Sequence, residues 1–178
     1  MNIQEYVRQL RALHEERDAV FHPNGPATES DLSAAELAIG FQIGDGLKDL
    51  WRTCNGAAYW ATFFGVVSDE PTPCRFLSVA EAVDNWRERR KLTDEYEQEI
   101  PRDERIASGW NNLRWLPFAE FNGFSTSVMY DRAPGFGGAD GQIIVYQHDP
   151  DAINWVAESF LALLGDSLEI IRREGFAE

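Results

Sequence analysis

The chain has 178 residues, of which 44% are hydrophobic and 26% charged, a composition typical of folded globular proteins and unlike that of disordered chains. Thirty acidic against sixteen basic residues give a formal net charge of −14, which argues against nucleic acid and anionic membranes as partners because both would be repelled. The length predicts one domain, in which residues 1–25 are an N-terminal helix and linker joined to residues 26–174.

The cysteines and histidines predict no metal site. Cys54 and Cys74 form no Cys-x-x-C motif, and none of the three histidines has a partner at the spacing of zinc ligands. The N-terminus is charged, without the apolar stretch of a signal peptide, and no apolar run reaches the roughly 18 residues of a membrane-spanning helix. We therefore expect a cytoplasmic protein.

The first third of the chain predicts three helices. The first has one apolar stripe at spacings of three and four residues, formed by Ile3, Tyr6, Val7, Leu10 and Leu13. A second begins after Thr28, whose side chain suits an N-cap, and ends at Gly40. Asp45 is expected to cap a third, which stops near Asn55-Gly56.

After Gly56 the pattern changes to that of β-structure. Aromatic and β-branched residues predict a strand over residues 59–67, while Pro71 and Pro73 indicate a loop. The stretch from Ser78 to Glu81 is a capping box that opens another helix. Further strands are predicted at residues 113–121, 124–130 and 142–146.

Turn signals order these last strands. Asn122-Gly123 predicts a tight hairpin, Pro117 predicts an edge strand or a bulge, and residues 131–141 form a glycine-rich loop. Asp149 and Pro150 are expected to open the final helix. Helices interspersed with hairpins predict an α+β fold, a single domain with a mixed, mostly antiparallel sheet and helices packed around it.

No motif predicts catalysis. The glycines of residues 135–141 precede a strand and not a helix, so a turn with positive φ angles explains them better than a phosphate-binding loop. No Gly-x-Ser-x-Gly elbow or Cys-His signature is present. We expect no enzyme; a hydrolase that uses paired carboxylates or His148 is kept as an alternative, and it predicts a deep pocket with a perturbed pKa.

An acidic run is the best candidate for binding a partner. The run could simply be a solvated surface. It could also be a docking patch for a basic protein, where its charge would speed association and orient the partner. Trp86, Tyr96 and Trp110 flank the run, and an exposed ring among them would be a natural anchor. The predicted partner-binding residues are Asp94, Glu95, Glu97, Glu99, Asp103, Glu104 and Trp110.

Four segments together resemble the SUKH, or Smi/Knr-like, superfamily. Residues 26–41 are similar to its opening helix and Ile-Gly-hydrophobic link, and residues 47–56 to its second helix, which closes on Asn-Gly. Trp115-Leu116-Pro117 resembles its Trp-hydrophobic-Pro strand, and residues 130–164 resemble its strand–loop–strand–helix ending. The long acidic stretch of residues 81–111 departs from the pattern.

The resemblance implies an α+β fold without catalysis, metal or cofactor. Bacterial members include immunity proteins that block a toxin, often a nuclease, whereas fungal relatives regulate the cell wall through protein partners. We expect an immunity protein that binds a basic toxin domain, and keep a regulatory or scaffold module as the alternative. A monomer or a weak homodimer is expected, the latter through an exposed strand edge at residues 59–67.

Overall fold

A computed structural model describes residues 1–91 and 102–175 of the chain. These residues form five helices and six strands, and the predicted α+β fold is confirmed. The helices are α1 (Ile3–Glu15), α2 (Glu29–Ile39), α3 (Asp45–Thr53), α4 (Val79–Lys91) and α5 (Phe160–Glu174). The strands are β1 (Phe64–Val67), β2 (Pro71–Phe76), β3 (Trp115–Phe121), β4 (Thr126–Asp131), β5 (Gln142–Gln147) and β6 (Ala152–Ala157).

The helices begin and end where local chemistry directs them. The hydroxyl of Thr28 accepts from the backbone N–H of Asp31, whose carboxylate accepts from the N–H of Thr28, so a capping box starts α2. Gly40 ends α2 in the left-handed conformation at φ 81°. A second capping box joins Ser78 and Glu81 at the start of α4. These predicted boundaries are confirmed.

The strands form one sheet in the order β1-β2-β3-β4-β5-β6, and every neighbouring pair is antiparallel. The β3–β4 hairpin turns at Asn122 and Gly123, which have φ angles of 50° and 62°, as the Asn-Gly pair predicts. The register of β3 shifts between Pro117 and Ala119, where the sequence indicates a bulge.

Several predicted assignments were wrong. Asp45 does not cap α3 but is its first residue, after Gly44 as the N-cap. Pro71 and Pro73 lie in β2 and not in a loop; their part of β2 pairs with β1 alone, so their missing N–H groups break no ladder with β3. Asp149 opens no helix, because it has φ 62° and lies between β5 and β6. The segment after it forms β6, and α5 begins later with Ser159 as its N-cap.

The strand predicted over residues 59–67 is shorter and less open than expected. Tyr59 and Trp60 lie in a turn, and only Phe64–Val67 form β1. The Tyr6 hydroxyl donates to the Phe63 carbonyl, and the N–H of Gly65 donates to Ser167 Oγ at 2.8 Å. Side chains from α1 and α5 thus bond backbone groups of Phe63 and Gly65, so this edge is less open than expected. The weak homodimer stays a prediction.

The sheet is buried on both faces. Because successive residues of a strand point to opposite faces, Leu116 and Trp115 join different cores. The larger core lies under the helices and includes Leu116, Val128, Ile143 and Val145. The smaller core, on the opposite face, contains Trp115, Met129, Ile144 and Ile153, covered by Ile106 and Trp110 from the connection between α4 and β3.

Candidate functional site

The predicted acidic run falls mostly outside the described residues. Asp94, Glu95, Glu97 and Glu99 lie in residues 92–101, so their partner-binding role stays a prediction. The structure does describe Asp103, Glu104 and Trp110. They belong to residues 102–110, a segment that crosses the sheet face opposite the helices and is named the return arm.

Asp103 is already bound within the arm. Its carboxylate accepts from Arg105 Nε at 2.9 Å, from Nη2 at 2.5 Å and from the Arg105 backbone N–H at 3.0 Å. These hydrogen bonds lower the pKa of Asp103 to about 2. Glu104 is exposed, so of these two acids it is the one more open to a partner.

The return arm is fastened to the sheet by aromatic and backbone contacts. The Arg105 guanidinium lies 3.7 Å from the ring centroid of Trp155, and Gln142 Nε2 donates to the Arg105 carbonyl at 2.7 Å. Trp110 is only 8% exposed and belongs to the smaller core, so it is not a projecting anchor. Its role in partner binding stays a prediction.

A groove of about 760 Å³ lies between α4, the return arm, the β3–β4 turn and the end of β5. Sequence reasoning missed it, because its walls come from segments far apart in the chain. Its lining residues are Arg75, Glu81, Asp84, Asn85, Glu88, Arg89, Trp110, Asn111, residues 122–125, Tyr146 and His148.

The helix wall of the groove is acidic. Glu81, Asp84 and Glu88 share one face of α4 because they are three and four residues apart. Each has a basic partner in the chain, Arg75 at 2.8 Å, Arg87 at 2.9 Å and Lys91 at 2.6 Å respectively. The pairs that Asp84 and Glu88 form are exposed and therefore weak, so little free energy is lost when these acids bind another partner instead.

The floor near the hairpin contains a buried ion pair. Arg75 Nε donates to Glu120 Oε1 at 2.6 Å, and the Glu120 side chain is 2% exposed. The other Glu120 oxygen accepts from the backbone N–H of Phe124 at 2.7 Å, which fixes the Asn122-Gly123 turn. Burial opposes the charge of Glu81, but hydrogen bonds from Ser78 and Arg75 outweigh it and lower its pKa.

One buried amide facing the groove has a free acceptor. Asn85 is 7% exposed and lines the groove, and its Oδ1 accepts no hydrogen bond from residues 1–91 or 102–175. A buried oxygen without a donor costs about 1–3 kcal/mol. A ligand N–H that reached Asn85 would recover that energy.

Exposed rings lie beside the groove. Tyr59 and Trp60 are 62% and 73% exposed, and with Phe121 they line a second cavity of about 210 Å³. This set of three rings is named the aromatic patch. The Arg75 guanidinium lies 5.5 Å from the centroid of the Tyr59 ring. Arg75 and Asn122 line both cavities. The groove and the patch are therefore one continuous surface.

A histidine lies at the far rim of the groove. His148 Nδ1 is 2.8 Å from Asp151 Oδ1, and the Tyr146 hydroxyl donates to the same oxygen at 2.6 Å. The hydrogen bond and the negative charge of Asp151 raise the pKa of His148. The pocket and perturbed pKa that the hydrolase alternative predicts are thus both present. The shift nevertheless favours protonated His148, whereas a general base must be neutral.

Residues 1–91 and 102–175 contain no group of three or more His, Cys, Asp or Glu side chains arranged to hold a metal ion. They also contain no helix that combines the length and the apolar character needed to cross a membrane. The groove and the aromatic patch combine exposed rings with paired charges, and aromatic anchors with a polar rim are typical of protein interfaces.

Comparison with known proteins places the chain in a family. No curated protein matches the sequence. Residues 26–166, however, match the profile of the SMI1 / KNR4 family (SUKH-1), in agreement with the resemblance of the individual segments. The match spans most of the 178 residues, and it includes α2 to β6, which build the groove and the aromatic patch. The chain therefore belongs to the SMI1 / KNR4 family (SUKH-1).

Proposed function

We propose that this protein is a non-catalytic immunity protein, which neutralises a cognate bacterial toxin in the cytoplasm by binding it directly. The observation that carries the proposal is the continuous surface of groove and aromatic patch. Tyr59 and Trp60 offer large rings at low conformational cost, and such rings are typical of the residues that dominate binding energy at interfaces.

The charge of the chain supports a basic partner. At −14, the protein attracts a basic domain over distance and orients it before contact. A nuclease that grips phosphate carries a basic active site, so a nuclease toxin fits this charge. The acids of residues 94–104 are proposed to add to that attraction.

Binding suits the groove better than acid–base catalysis does. Glu81 is held by a capping box and by Arg75, and its pKa is lowered, which opposes proton donation near neutral pH. Asp84 and Glu88 are in exposed ion pairs along one helix face. The groove thus presents charges and amides that orient a partner.

The proposal is tested by co-expressing the protein with the product of the gene beside its own. Rescue of growth together with a stable complex supports immunity. Stable binding to an endogenous protein, without toxicity from the neighbouring product, would instead favour a regulatory or scaffold module. An isolated chain is expected to be a monomer by sedimentation.

Variants of the aromatic patch test where the partner binds. Tyr59→Ala and Trp60→Ala should each weaken the complex by about 2 kcal/mol or more, since exposed rings of this kind act as anchors. The matched control is Leu37→Ala, because Leu37 is 86% exposed and lines neither cavity. Equal affinities in calorimetry for all three variants and the unaltered protein would place the partner elsewhere.

A further inference from the structure

One edge of the sheet is open. β6 is the last strand and pairs only with β5. Within residues 1–91 and 102–175, the backbone of Ala152–Ala157 makes no hydrogen bond beyond that pairing. Alternate residues of an end strand direct their N–H and C=O groups outward, where they can pair with another strand.

The opposite edge is protected, which makes the open one notable. At β1, Tyr6 and Ser167 bond backbone groups of Phe63 and Gly65. A Cβ on Gly65 would lie 2.8 Å from the Ile170 side chain, so α5 also packs against the face of that strand. Among the described residues, no side chain bonds the backbone of β6 in this way.

The open edge is uncharged along its length and acidic around its ends. Ala152–Ala157 contain no ionisable residue, whereas Asp149 and Asp151 precede them and Glu158 follows. The return arm adds Asp103 and Glu104, because Arg105 places it over Trp155. Arg105 pairs with Asp103, His148 pairs with Asp151, and Arg102 adds a further positive charge to the arm. Asp149, Glu104 and Glu158 keep the surroundings negative.

We infer that β6 accepts an extended segment of a basic partner as a seventh strand. Main-chain hydrogen bonds would supply affinity, and lysine or arginine residues flanking the segment would meet the acids at both ends. The inference rests on the proposed function, in which the partner is a basic toxin domain. β6 starts beside the rim of the groove, since Ile153 pairs with Tyr146.

A second copy of the chain fits this edge less well. Antiparallel self-pairing that sets Ala152 opposite Ala157 also sets Asp151 opposite Glu158 at both ends. Like charges directly opposite each other destabilise a strand pair. The flanking acids therefore select against self-association while attracting a basic strand.

The test uses the full chain and two synthetic peptides with the same alternating Thr-Val core, one flanked by lysines and the other by glutamates. In backbone amide NMR spectra, the lysine-flanked peptide should shift the resonances of residues 152–157 and bind at least about tenfold more tightly than its counterpart. Residues 64–67 of β1 serve as the internal control and should not respond.

The outcomes separate this inference from the proposed function. The inference would be overturned if β6 showed no shifts or if both peptides bound equally well. It would also be overturned by shifts in β6 that depend on protein concentration without peptide, because these would identify a second copy as the occupant. Asn154→Lys should lower the affinity for the lysine-flanked peptide about tenfold, and Asn154→Glu should not. None of these results depends on finding a toxin, whereas the proposed function fails if co-expression reveals no partner.

Discussion

At the scale of single residues, Arg75 is the most connected side chain of the candidate site. It bonds Glu120 beneath the hairpin and Glu81 on α4, and it lines both the groove and the second cavity. Sequence patterns predict Glu81 as part of a capping box, but they give no sign of Glu120, because an acid in a strand ordinarily faces water.

Arg75→Ala should destabilise the fold strongly. The change leaves the carboxylate of Glu120 buried without its cation, and breaking a buried pair this way costs about 3–5 kcal/mol. The control is Arg87→Ala, which breaks an exposed pair with Asp84 and should cost less than about 1 kcal/mol. Urea denaturation measures both free energies of unfolding, and similar losses for the two variants would contradict a buried role for the Arg75–Glu120 pair.

Two histidines should titrate on opposite sides of the ordinary value of 6.5. Asp151 raises the pKa of His148 in the folded state. The stability that this ion pair contributes is therefore present at low pH and is lost as the pH rises through the folded pKa of His148. Burial lowers the pKa of His14, so stability falls as the pH drops below 6.5 towards its folded pKa.

NMR titration of the imidazole resonances measures both values. Asp151→Asn should lower the pKa of His148 and leave that of His14 unchanged, because Nδ1 of His148 bonds Asp151 whereas Nδ1 of His14 bonds the Leu10 carbonyl. If the pKa of His148 is the same in Asp151→Asn as in the unaltered protein, the ion pair does not persist in solution.

At the scale of elements, the glycine-rich loop between β4 and β5 makes room for the return arm. A Cβ on Gly135 would overlap the Glu104 carbonyl and lie 2.8 Å from that of Ile106, and one on Gly138 would lie 2.5 Å from the Arg105 carbonyl. The sequence predicts the loop and its positive φ angles, confirmed at Gly137 and Gly141. It does not reveal the close approach of the arm, which is a tertiary contact.

Gly135→Ala should loosen the arm and destabilise the protein by about 1–3 kcal/mol, because backbone atoms would have to move. Gly165→Ala is the matched control: a Cβ there meets nothing within 4 Å, so this substitution in α5 should stabilise by up to about 1 kcal/mol. Thermal unfolding distinguishes the two signs. Unchanged stability in Gly135→Ala would mean that the arm is not held against this loop.

Helices and hairpin turns were predicted well where local chemistry determines them, and strands less well. Thr28, Ser78 and Asn122-Gly123 form caps and a turn whose signals span a few residues. β6 was missed because the final helix was predicted to open at Asp149 and Pro150 and so to run over these residues. The groove has no local signal at all, since non-local packing assembles it.

At the scale of the whole molecule, the net charge should control the speed of association with a basic partner. Raising the salt concentration from low to high should slow association by roughly 10- to 1,000-fold, since screening weakens steering. Dissociation should change much less, because short-range contacts determine it. Stopped-flow measurements of the complex with that partner separate the two rates, and an association rate independent of salt would contradict electrostatic steering.

The double-sided burial of the sheet has a consequence for strand alignment. In a sheet with one wet face, a slip of one residue exposes apolar side chains, and that penalty enforces the register. Here both faces are apolar, so a slip would exchange one core for the other. Asp131 and Gln142, fully buried and joined at 2.8 Å, lie opposite each other on β4 and β5. This polar pair fixes the register of β4 and β5, because any slip would leave a buried carboxylate and a buried amide without their hydrogen-bond partners.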